Sequence, residues 1–224
     1  MLRDFSKIKA IFFDTSDTLY KNEGLEKAYP QKLVELIAKT KNISKEAAKQ
    51  LLKDTTESLK SSEKHVTKVR AAAELGITRP EVHESAFCKV IPSDYLVKDE
   101  ELNAVIASLA KRYRLGIISN LKKSHMLEVF KALGLSSGMF SYFVTEDVVQ
   151  EIKPAAEPFL KAIELAQCAS DECLYIGDSS TKDMLPAKKV GMKTILITES
   201  QSEVSKQYVD GIVSDVKDVP DLLT

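Results

Sequence analysis

The sequence predicts an α/β fold, a doubly wound parallel sheet with an all-helical insertion near its amino end. Residues 8–13 form an apolar run typical of a buried strand. Residues 21–93 show the three- and four-residue apolar spacing of helices. After Asp94 helical and strand patterns alternate strictly, which favours parallel strands joined by right-handed crossovers and covered on both faces. We expect a core domain of residues 1–20 and 94–224, and a helical cap domain of residues 21–93.

The first strand ends in an acidic turn. The residues that follow it, D-T-S-D-T-L-Y, place Asp14 where a buried strand stops. In an open α/β sheet, the carboxyl end of a central strand borders the crevice in which ligands bind. Asp, Thr and Ser are also ordinary turn residues, so this turn by itself fits a purely structural role equally well.

Three helices are predicted in the insertion, over residues 23–40, 43–59 and 62–76. Ser44 and Ser62 are candidate N-caps, because a serine oxygen can accept a hydrogen bond from the first free N–H groups of a helix. Gly76 is a candidate C-terminal stop.

In the rest of the chain, the apolar spacing alternates between that of helices and that of strands. No G-x-G-x-x-G opens any of the helices, so a dinucleotide site has no support. Residues 210–216, D-G-I-V-S-D-V, are a candidate edge strand. The predicted helices cover 99–113, 124–134, 157–166 and a segment after 177, and the predicted strands cover 114–119, 142–145, 174–177 and 194–198.

Composition restricts the partners. The chain has 224 residues, 44% of them hydrophobic and 29% charged, with a net charge of −1 and a pI near 6.4. It carries no basic field for a nucleic-acid backbone and no polybasic anchor for acidic lipid. No apolar run precedes the first strand and none approaches the roughly 20 residues that span a bilayer. We expect a soluble cytoplasmic protein without nucleic-acid or membrane partners, either a monomer or a weak homodimer.

The three cysteines, Cys88, Cys168 and Cys173, do not suggest a redox or zinc site. Their number leaves a disulfide framework incomplete, and their spacing contains no C-x-x-C. We interpret all three as small core residues.

Polar residues recur at the later strand ends. Ser119 ends the L-G-I-I-S run, Lys153 opens K-P-A-A-E-P-F, and G-D-S-S-T-K-D carries Asp178 and Asp183. This order resembles the haloacid dehalogenase superfamily, whose motifs are D-x-D-x-T, a lone Ser or Thr, a Lys, and G-D-x-x-x-x-D. The resemblance spans residues 8–198 and favours a functional rather than a structural role for Asp14.

The resemblance implies a Rossmann-like core of strand order 3-2-1-4-5, a cap acting as a lid, and a Mg²⁺-dependent phosphatase. Asp14 is then the nucleophile that forms an aspartyl-phosphate. Mg²⁺ is held by Asp14, Asp178, Asp183 through water, and the backbone carbonyl of Ser16. The expected catalytic residues are Asp14, Ser16, Ser119 and Lys153, and the expected phosphate or substrate contacts are Ser119, Asn120, Lys153 and Tyr20.

One position departs from the family pattern. Phosphatases of the family carry a second Asp two residues after the nucleophile, which protonates the leaving alcohol, and here that residue is Ser16. Asp17 points away if the side chains of the turn alternate. Three alternatives stay open: a slow phosphatase, a catalytically weak or inactive phosphate- and metal-binding protein, and a haloacid dehalogenase. The retained Asp178 and Asp183 argue against the last, because the family's dehalogenases lack a magnesium site.

The expected substrate is a small phosphorylated metabolite. The L-Y pair after the first motif and the length of the cap are similar to the pyrimidine 5′-nucleotidase branch, which suggests a nucleoside monophosphate ahead of phosphoglycolate or a sugar phosphate. Lys64, His65 and Arg70 are candidate cap contacts. A solvated helix face explains the two cations more simply, and a partly buried filler explains the histidine.

Overall fold

The computed structural model describes residues 4–61, 66–199 and 207–223. The chain forms two compact units. One, here called the helical unit, is Asn22–Leu96, and the other, the sheet unit, comprises Met1–Lys21 and Val97–Thr224. Among the described residues, none of the helices combines the length and the apolar character needed to cross a bilayer.

The sheet unit contains a six-stranded, fully parallel sheet of order β3-β2-β1-β4-β5-β6. The predicted parallel sheet and the order 3-2-1-4-5 are confirmed, and the candidate edge segment forms β6 beside β5. The strands are β1 (Ala10–Phe13), β2 (Arg114–Ile118), β3 (Tyr142–Val144), β4 (Cys173–Gly177), β5 (Lys193–Ile197) and β6 (Gly211–Val213).

Helices cover both faces of this sheet. Successive residues of β1 point to opposite faces, so they pack against different helices. Phe12 belongs to a buried cluster with Phe159. Phe13 lies edge-on to Phe140, which in turn contacts the ring of Phe130. The helices of the sheet unit are α5 (Glu100–Ala110), α6 (Lys123–Leu133), α7 (Glu157–Ala166), α8 (Leu185–Lys189) and α9 (Val219–Leu222). Phe159 therefore places α7 on one face, and Phe130 places α6 on the other.

The centre of the sheet is closely packed around β1, whose four residues are all buried. Gly116 lies opposite Phe12 in the register of β2 with β1. A Cβ atom at Gly116 would come within 2.5 Å of the Phe12 ring, so only glycine fits this position without displacing the ring. This packing places the carboxyl end of β1 at the middle of the sheet edge.

In its described residues, 22–61 and 66–96, the helical unit contains four α-helices around a small apolar core. The helices are α1 (Glu23–Lys41), α2 (Lys45–Lys60), α3 (Lys68–Glu74) and α4 (Arg79–Ser85). Ser44 caps α2 as predicted, since its hydroxyl accepts from the Ala47 N–H. The fully buried residues of the core include Leu33, Ile37, Ala48, Ala71 and Val82.

One prediction for this unit is wrong, and another concerns a residue outside the described ones. The third helix begins at Lys68, with Thr67 as its N-cap, rather than at residue 62, and the predicted cap Ser62 lies outside the described residues. Gly76 follows α3 with a φ of +78°, as expected of a helix stop. Helix α4 was missed, although Thr78 and Glu81 form a capping box that the sequence displays as T-x-x-E.

The interpretation of the cysteines was wrong for one of the three. Cys173 is buried in β4 and Cys168 is partly buried, but Cys88 is exposed. Cys88 lies in a single 3₁₀ turn, Phe87–Lys89, at the surface of the helical unit. A small apolar residue does not require burial.

Candidate active site

Asp14 directly follows β1, between the strands β2 and β4. Its backbone N–H donates to the Ile176 carbonyl at 2.9 Å, so the pairing with β4 continues beyond the strand. Its Oδ1 accepts from the Thr15 N–H at 2.7 Å and lies 2.8 Å from the Lys153 ammonium. The side chain is 15% exposed. Asp14 is thus fixed through one oxygen while it retains access to solvent, as a nucleophile requires.

Lys153 provides a buried positive charge beside Asp14. It lies between β3 and α7, and its side chain is 4% exposed. Nζ lies 2.8 Å from Asp14 Oδ1 and 2.8 Å from Asp183 Oδ1, and it donates to the Tyr175 hydroxyl at 2.8 Å. All three ammonium hydrogens therefore have acceptors. Burial alone would lower the pKa of Lys153, but the charges of Asp14 and Asp183 outweigh it and raise the pKa, so the ammonium stays charged.

Asp183 is buried within a single π-helical turn, Ser180–Met184, which follows β4. Its Oδ2 accepts from the Ser179 N–H at 3.1 Å, and its Oδ1 accepts from the Tyr175 hydroxyl at 2.9 Å. A Cβ atom at Gly177 would lie 2.9 Å from Asp183 Cγ, so the close approach of this carboxylate to the end of β4 requires glycine. The glycine of the G-D motif thus makes room for the second acid of that motif.

Three carboxylates converge at the end of β1 and β4. Asp14, Asp178 and Asp183 each place one oxygen within 4.8 Å of the others. Burial, with the Asp183 charge adding and the Lys153 charge opposing, raises the pKa of Asp14 to about 6. Burial and the charges of Asp14 and Asp183 raise the pKa of Asp178 to about 7. Repulsion among the acids is therefore incompletely balanced by Lys153. A hard divalent cation fits this all-oxygen donor set and its excess negative charge.

Ser119 lies at the end of β2, where its N–H donates to the Val144 carbonyl at 2.9 Å. Its hydroxyl is 2.9 Å from the Thr15 hydroxyl and accepts from the Leu121 N–H at 3.3 Å. The side chain is buried. Thr15 thus connects Ser119 to the turn that carries Asp14, which brings the first two strand ends together.

Asn120 forms hydrogen bonds with the backbone of Lys153, which the surrounding sequence does not indicate. Its side-chain amide donates to the Lys153 carbonyl at 3.0 Å, and its Oδ1 accepts from the Lys153 N–H at 2.9 Å. The side chain therefore holds the Lys153 backbone in place. Its predicted contact with a phosphate stays a prediction; Lys153 engages Oδ1 and one of the two hydrogens of Nδ2.

Ser16 and Tyr20 form a hydroxyl pair within the turn after β1. Ser16 Oγ lies 2.9 Å from the Tyr20 hydroxyl, and either can donate. The Leu19 N–H donates to the Thr15 carbonyl at 2.9 Å, which closes the turn around them. Asp17 adopts a φ of +56°, a left-handed conformation that Asp tolerates better than most residues. The turn is therefore bent, and the alternation that was expected to direct Asp17 away does not apply.

Of the three candidate cap contacts, the described residues include only Arg70. Lys64 and His65 lie outside the described residues. Arg70 forms an ion pair with Glu74 at 3.0 Å one turn further along α3, as expected of a solvated helix face.

Residues 8–197 match the family of haloacid dehalogenase-like hydrolases. The chain belongs to this family. The predicted hydrolase class is confirmed, and the roles of Asp14, Ser119, Lys153, Asp178 and Asp183 stay predictions.

Relatives of this hydrolase include named phosphatases. A glyceraldehyde 3-phosphate phosphatase of Methanothermobacter thermautotrophicus is 27% identical over an alignment of 224 positions, which covers 96% of this chain and 96% of that protein. Pyrophosphatase PpaX of Bacillus mycoides is 31% identical over 107 residues, 47% of this chain and 49% of that protein. The crystal structure of a HAD phosphatase from Thermococcus onnurineus has a TM-score of 0.69 at 22% identity, covering 96% of this chain and 98% of that one. At this identity the structural likeness shows the shared fold.

Two members of the site were missed by sequence reasoning. Tyr175 bridges Lys153 and Asp183, and Thr15 pairs with Ser119. The signal for Tyr175 was present, because its hydroxyl stands in a strand of otherwise apolar residues and a buried tyrosine hydroxyl normally needs a polar partner. Thr15 carried no comparable signal, since threonine is common in turns.

Proposed function

We propose that this hydrolase is a Mg²⁺-dependent phosphatase that acts on a small phosphorylated metabolite through an aspartyl-phosphate on Asp14. The observation that carries the proposal is the convergence of three carboxylate oxygens within 4.8 Å, two of them belonging to residues that contact the buried Lys153 ammonium. A carboxylate is a usable nucleophile toward a phosphate dianion only when nearby cations offset their mutual repulsion.

The reaction proceeds in two displacements. The free oxygen of Asp14 attacks phosphorus, the bond from phosphorus to the leaving oxygen breaks, and that oxygen takes up a proton. Water then attacks the phosphorus of the aspartyl-phosphate, gives up a proton, and releases phosphate while the Asp14 carboxylate is restored. Lys153 remains positively charged throughout and stabilises the charge on the transferring group. In this proposal the Ser119 hydroxyl hydrogen bonds a phosphoryl oxygen.

Asp14, Asp178 and Asp183, with the Ser16 backbone carbonyl, would hold the magnesium ion. When bound, Mg²⁺ supplies charge that screens the approach of nucleophile and phosphate and orients the phosphoryl group. The donor set fits because carboxylates and carbonyl oxygens are the ligands Mg²⁺ prefers. Asp183 also contacts Lys153, so its share in metal binding is coupled to the position of the ammonium.

A three-carbon phosphate is the first substrate to test. The relative named glyceraldehyde 3-phosphate phosphatase matches this chain over almost its whole length, whereas the pyrophosphatase matches over about half. A nucleoside monophosphate, suggested by the L-Y pair after the first motif, is the second. Halide displacement is disfavoured because it has no use for the acid cluster of Asp14, Asp178 and Asp183.

Phosphate release from glyceraldehyde 3-phosphate, phosphoglycolate, a nucleoside monophosphate, acetyl phosphate and p-nitrophenyl phosphate, with and without Mg²⁺, tests the proposal. We expect Mg²⁺-dependent release from at least one of them, its loss in Asp14→Asn, and its retention in Asp171→Asn, an exposed acid elsewhere in the sheet unit. If no substrate is cleaved and mass spectrometry detects no phosphorylated Asp14, the result would favour the alternative of an inactive phosphate- and metal-binding protein. Chloride release from 2-chloropropionate without phosphate release would favour the dehalogenase.

A further inference from the structure

Two of the three cysteines lie in contact at the amino end of β4. Cys168 Sγ and Cys173 Sγ are 3.7 Å apart. Cys173 is the first residue of β4, whereas Asp178 directly follows the last. The intervening length of strand is roughly 13 Å, because a parallel strand rises about 3.3 Å per residue. The sulfur pair is therefore separate from the acid cluster at the other end of the sheet.

The two thiols differ in accessibility and in how the backbone holds them. Cys173 is buried, and the pairing of β4 with β1 fixes it opposite Ala10. Cys168 is partly buried and lies in the connection between α7 and β4. The bonded sulfurs of a disulfide are about 2.05 Å apart, so this pair must close by roughly 1.7 Å. Cys168 can make that movement without displacing the strand.

Cationic side chains surround Cys168. Arg114 Nη2 lies 3.4 Å from its Sγ. A cavity of about 430 Å³ at this surface is lined by four cations, Lys9, Lys111, Arg112 and Arg114. Glu172 pairs with Lys9, whereas Arg114 donates to the neutral Tyr142 hydroxyl. This surface therefore attracts anionic reagents, and the Arg114 guanidinium offsets negative charge on the Cys168 sulfur when that sulfur attacks.

We infer that Cys168 and Cys173 are a redox-active pair, which a small anionic disulfide such as glutathione disulfide converts to an internal disulfide. Cys168 reacts first, because it is the more accessible thiol and lies beside the guanidinium. Burial and the neighbouring Cys168 raise the pKa of the Cys173 thiol to about 12, which keeps Cys173 protonated in the reduced protein. Once Cys168 is bonded to the reagent, its sulfur carries no charge that opposes ionisation of Cys173.

The exchange consists of two balanced steps. The Cys168 thiol loses its proton to water and its sulfur attacks one sulfur of the reagent, whose disulfide bond breaks and releases one glutathione thiolate. The Cys173 thiol then loses its proton and attacks Cys168 Sγ, which releases the second glutathione thiolate. Both thiolates take up the released protons. Two protein thiols are thus oxidised, and one glutathione disulfide is reduced to two glutathione thiols.

Mass spectrometry of the folded protein detects this bond directly. The reduced chain is incubated with glutathione disulfide under native conditions, and free thiols are then alkylated in denaturant before digestion with trypsin. Residues 162–182 form one tryptic peptide with both cysteines, and residues 71–89 form another with Cys88. We expect the first peptide to carry no alkyl group and to be lighter than its reduced form by a pair of hydrogen atoms. Cys88 should carry glutathione or the alkyl group.

Three variants separate the two steps. Cys173→Ser should stop at a glutathione adduct on Cys168. In Cys168→Ser, Cys173 should react about 10-fold or more slowly than Cys168 does in the wild type, because the thiolate is the attacking species and little of it forms at a raised pKa. Cys88→Ser is the matched control, and it should form the internal disulfide at the wild-type rate.

The charge of the reagent is tested with cystamine, a cationic disulfide, with the rate at Cys88 correcting for the intrinsic reactivity of each reagent. We expect the wild-type pair to prefer glutathione disulfide. This preference should fall in Arg114→Gln and persist in Lys161→Gln, which removes a cation of α7 that pairs with Glu164. A wild-type pair without any preference would overturn the assignment of an anionic reagent.

Two results would overturn the inference as a whole. One is a glutathione adduct that persists on Cys168 of the wild type, and the other is a pair that stays reduced after Cys88 has reacted. The wild-type digest alone distinguishes these results from the internal disulfide, so the test holds even where a cysteine variant does not fold. Phosphate release is not part of the readout, so the proposed phosphatase function is tested separately.

Discussion

Lys153 Nζ lies 2.8 Å from Asp14 Oδ1 in a pair whose side chains are 4% and 15% exposed. The buried ammonium and its carboxylate partners stabilise one another, because burying either charge without the other would be costly. The ion pair therefore links the stability of the sheet unit to the chemistry of the nucleophile.

Lys153→Ala should reduce both stability and activity. Removing one partner of a buried ion pair leaves uncompensated carboxylates, which typically costs about 3–5 kcal/mol. Urea unfolding measures this loss, and phosphate release measures the activity. Lys161→Ala, which breaks an exposed pair with Glu164, should change the free energy of unfolding by at most about 1 kcal/mol. Equal effects of the two variants would show that burial does not strengthen the Lys153 pair.

Tyr175→Phe should weaken the site without changing the packing of β4. The lost hydroxyl accepts from Lys153 and donates to Asp183, and hydrogen bonds to charged groups are worth about 1.5–3 kcal/mol. We expect a loss of stability in that range together with a lower kcat. Tyr142→Phe removes a hydroxyl that accepts from Arg114 at the exposed surface, and its effect should stay within about 0.5 kcal/mol. An unaltered kcat in Tyr175→Phe would mean that Lys153 is positioned by its carboxylate partners alone.

The stability of the metal-free protein should fall as pH rises. The pKa of Asp14 is about 6 and that of Asp178 is about 7, and both lie above the ordinary value of 3.8. Between pH 3.8 and about pH 7 the folded protein therefore binds more protons than the unfolded chain. The free energy of unfolding then decreases with pH over this interval and levels off above about pH 7.

Magnesium should cancel this loss, because the cation binds the ionised carboxylates. Thermal unfolding with and without Mg²⁺ should show a larger Mg²⁺-induced rise in Tm at about pH 8 than at about pH 5. Asp178→Asn should flatten the pH dependence and reduce the Mg²⁺ effect. A rise in Tm that is the same at both pH values would argue against these carboxylates as the metal ligands.

Ser16→Asp should raise phosphatase turnover, by up to roughly 10²-fold, because it places a carboxyl group at the position of the family's general acid. Steady-state kinetics with an alkyl phosphate is the appropriate measurement. Asp17→Asn is the matched control, since Asn tolerates the left-handed conformation of residue 17 and removes only the charge. We expect its rate to be unchanged. A large loss in Asp17→Asn would identify Asp17 as the group that already supplies the proton.

The sequence alone predicted the fold class and the order of the site residues. Strand ends could be located because apolar runs of β1, β2 and β4 stop abruptly at Asp14, Ser119 and Asp178, and parallel strands place such ends at one edge. Helix α4 was visible in its capping box but was overlooked. The start of α3 was misplaced because helical periodicity determines helix ends only approximately.

Tertiary structure decided which side chains meet within that edge. That Tyr175 joins Lys153 to Asp183, that Asn120 clamps the Lys153 backbone, and that Ser16 is paired with Tyr20 depends on strand order, on local turn geometry and on packing against α7. Sequence periodicity specifies which face of an element is buried. It does not specify which buried polar atom finds which partner, because that choice depends on distances of a few tenths of an ångström set by the packed chain as a whole.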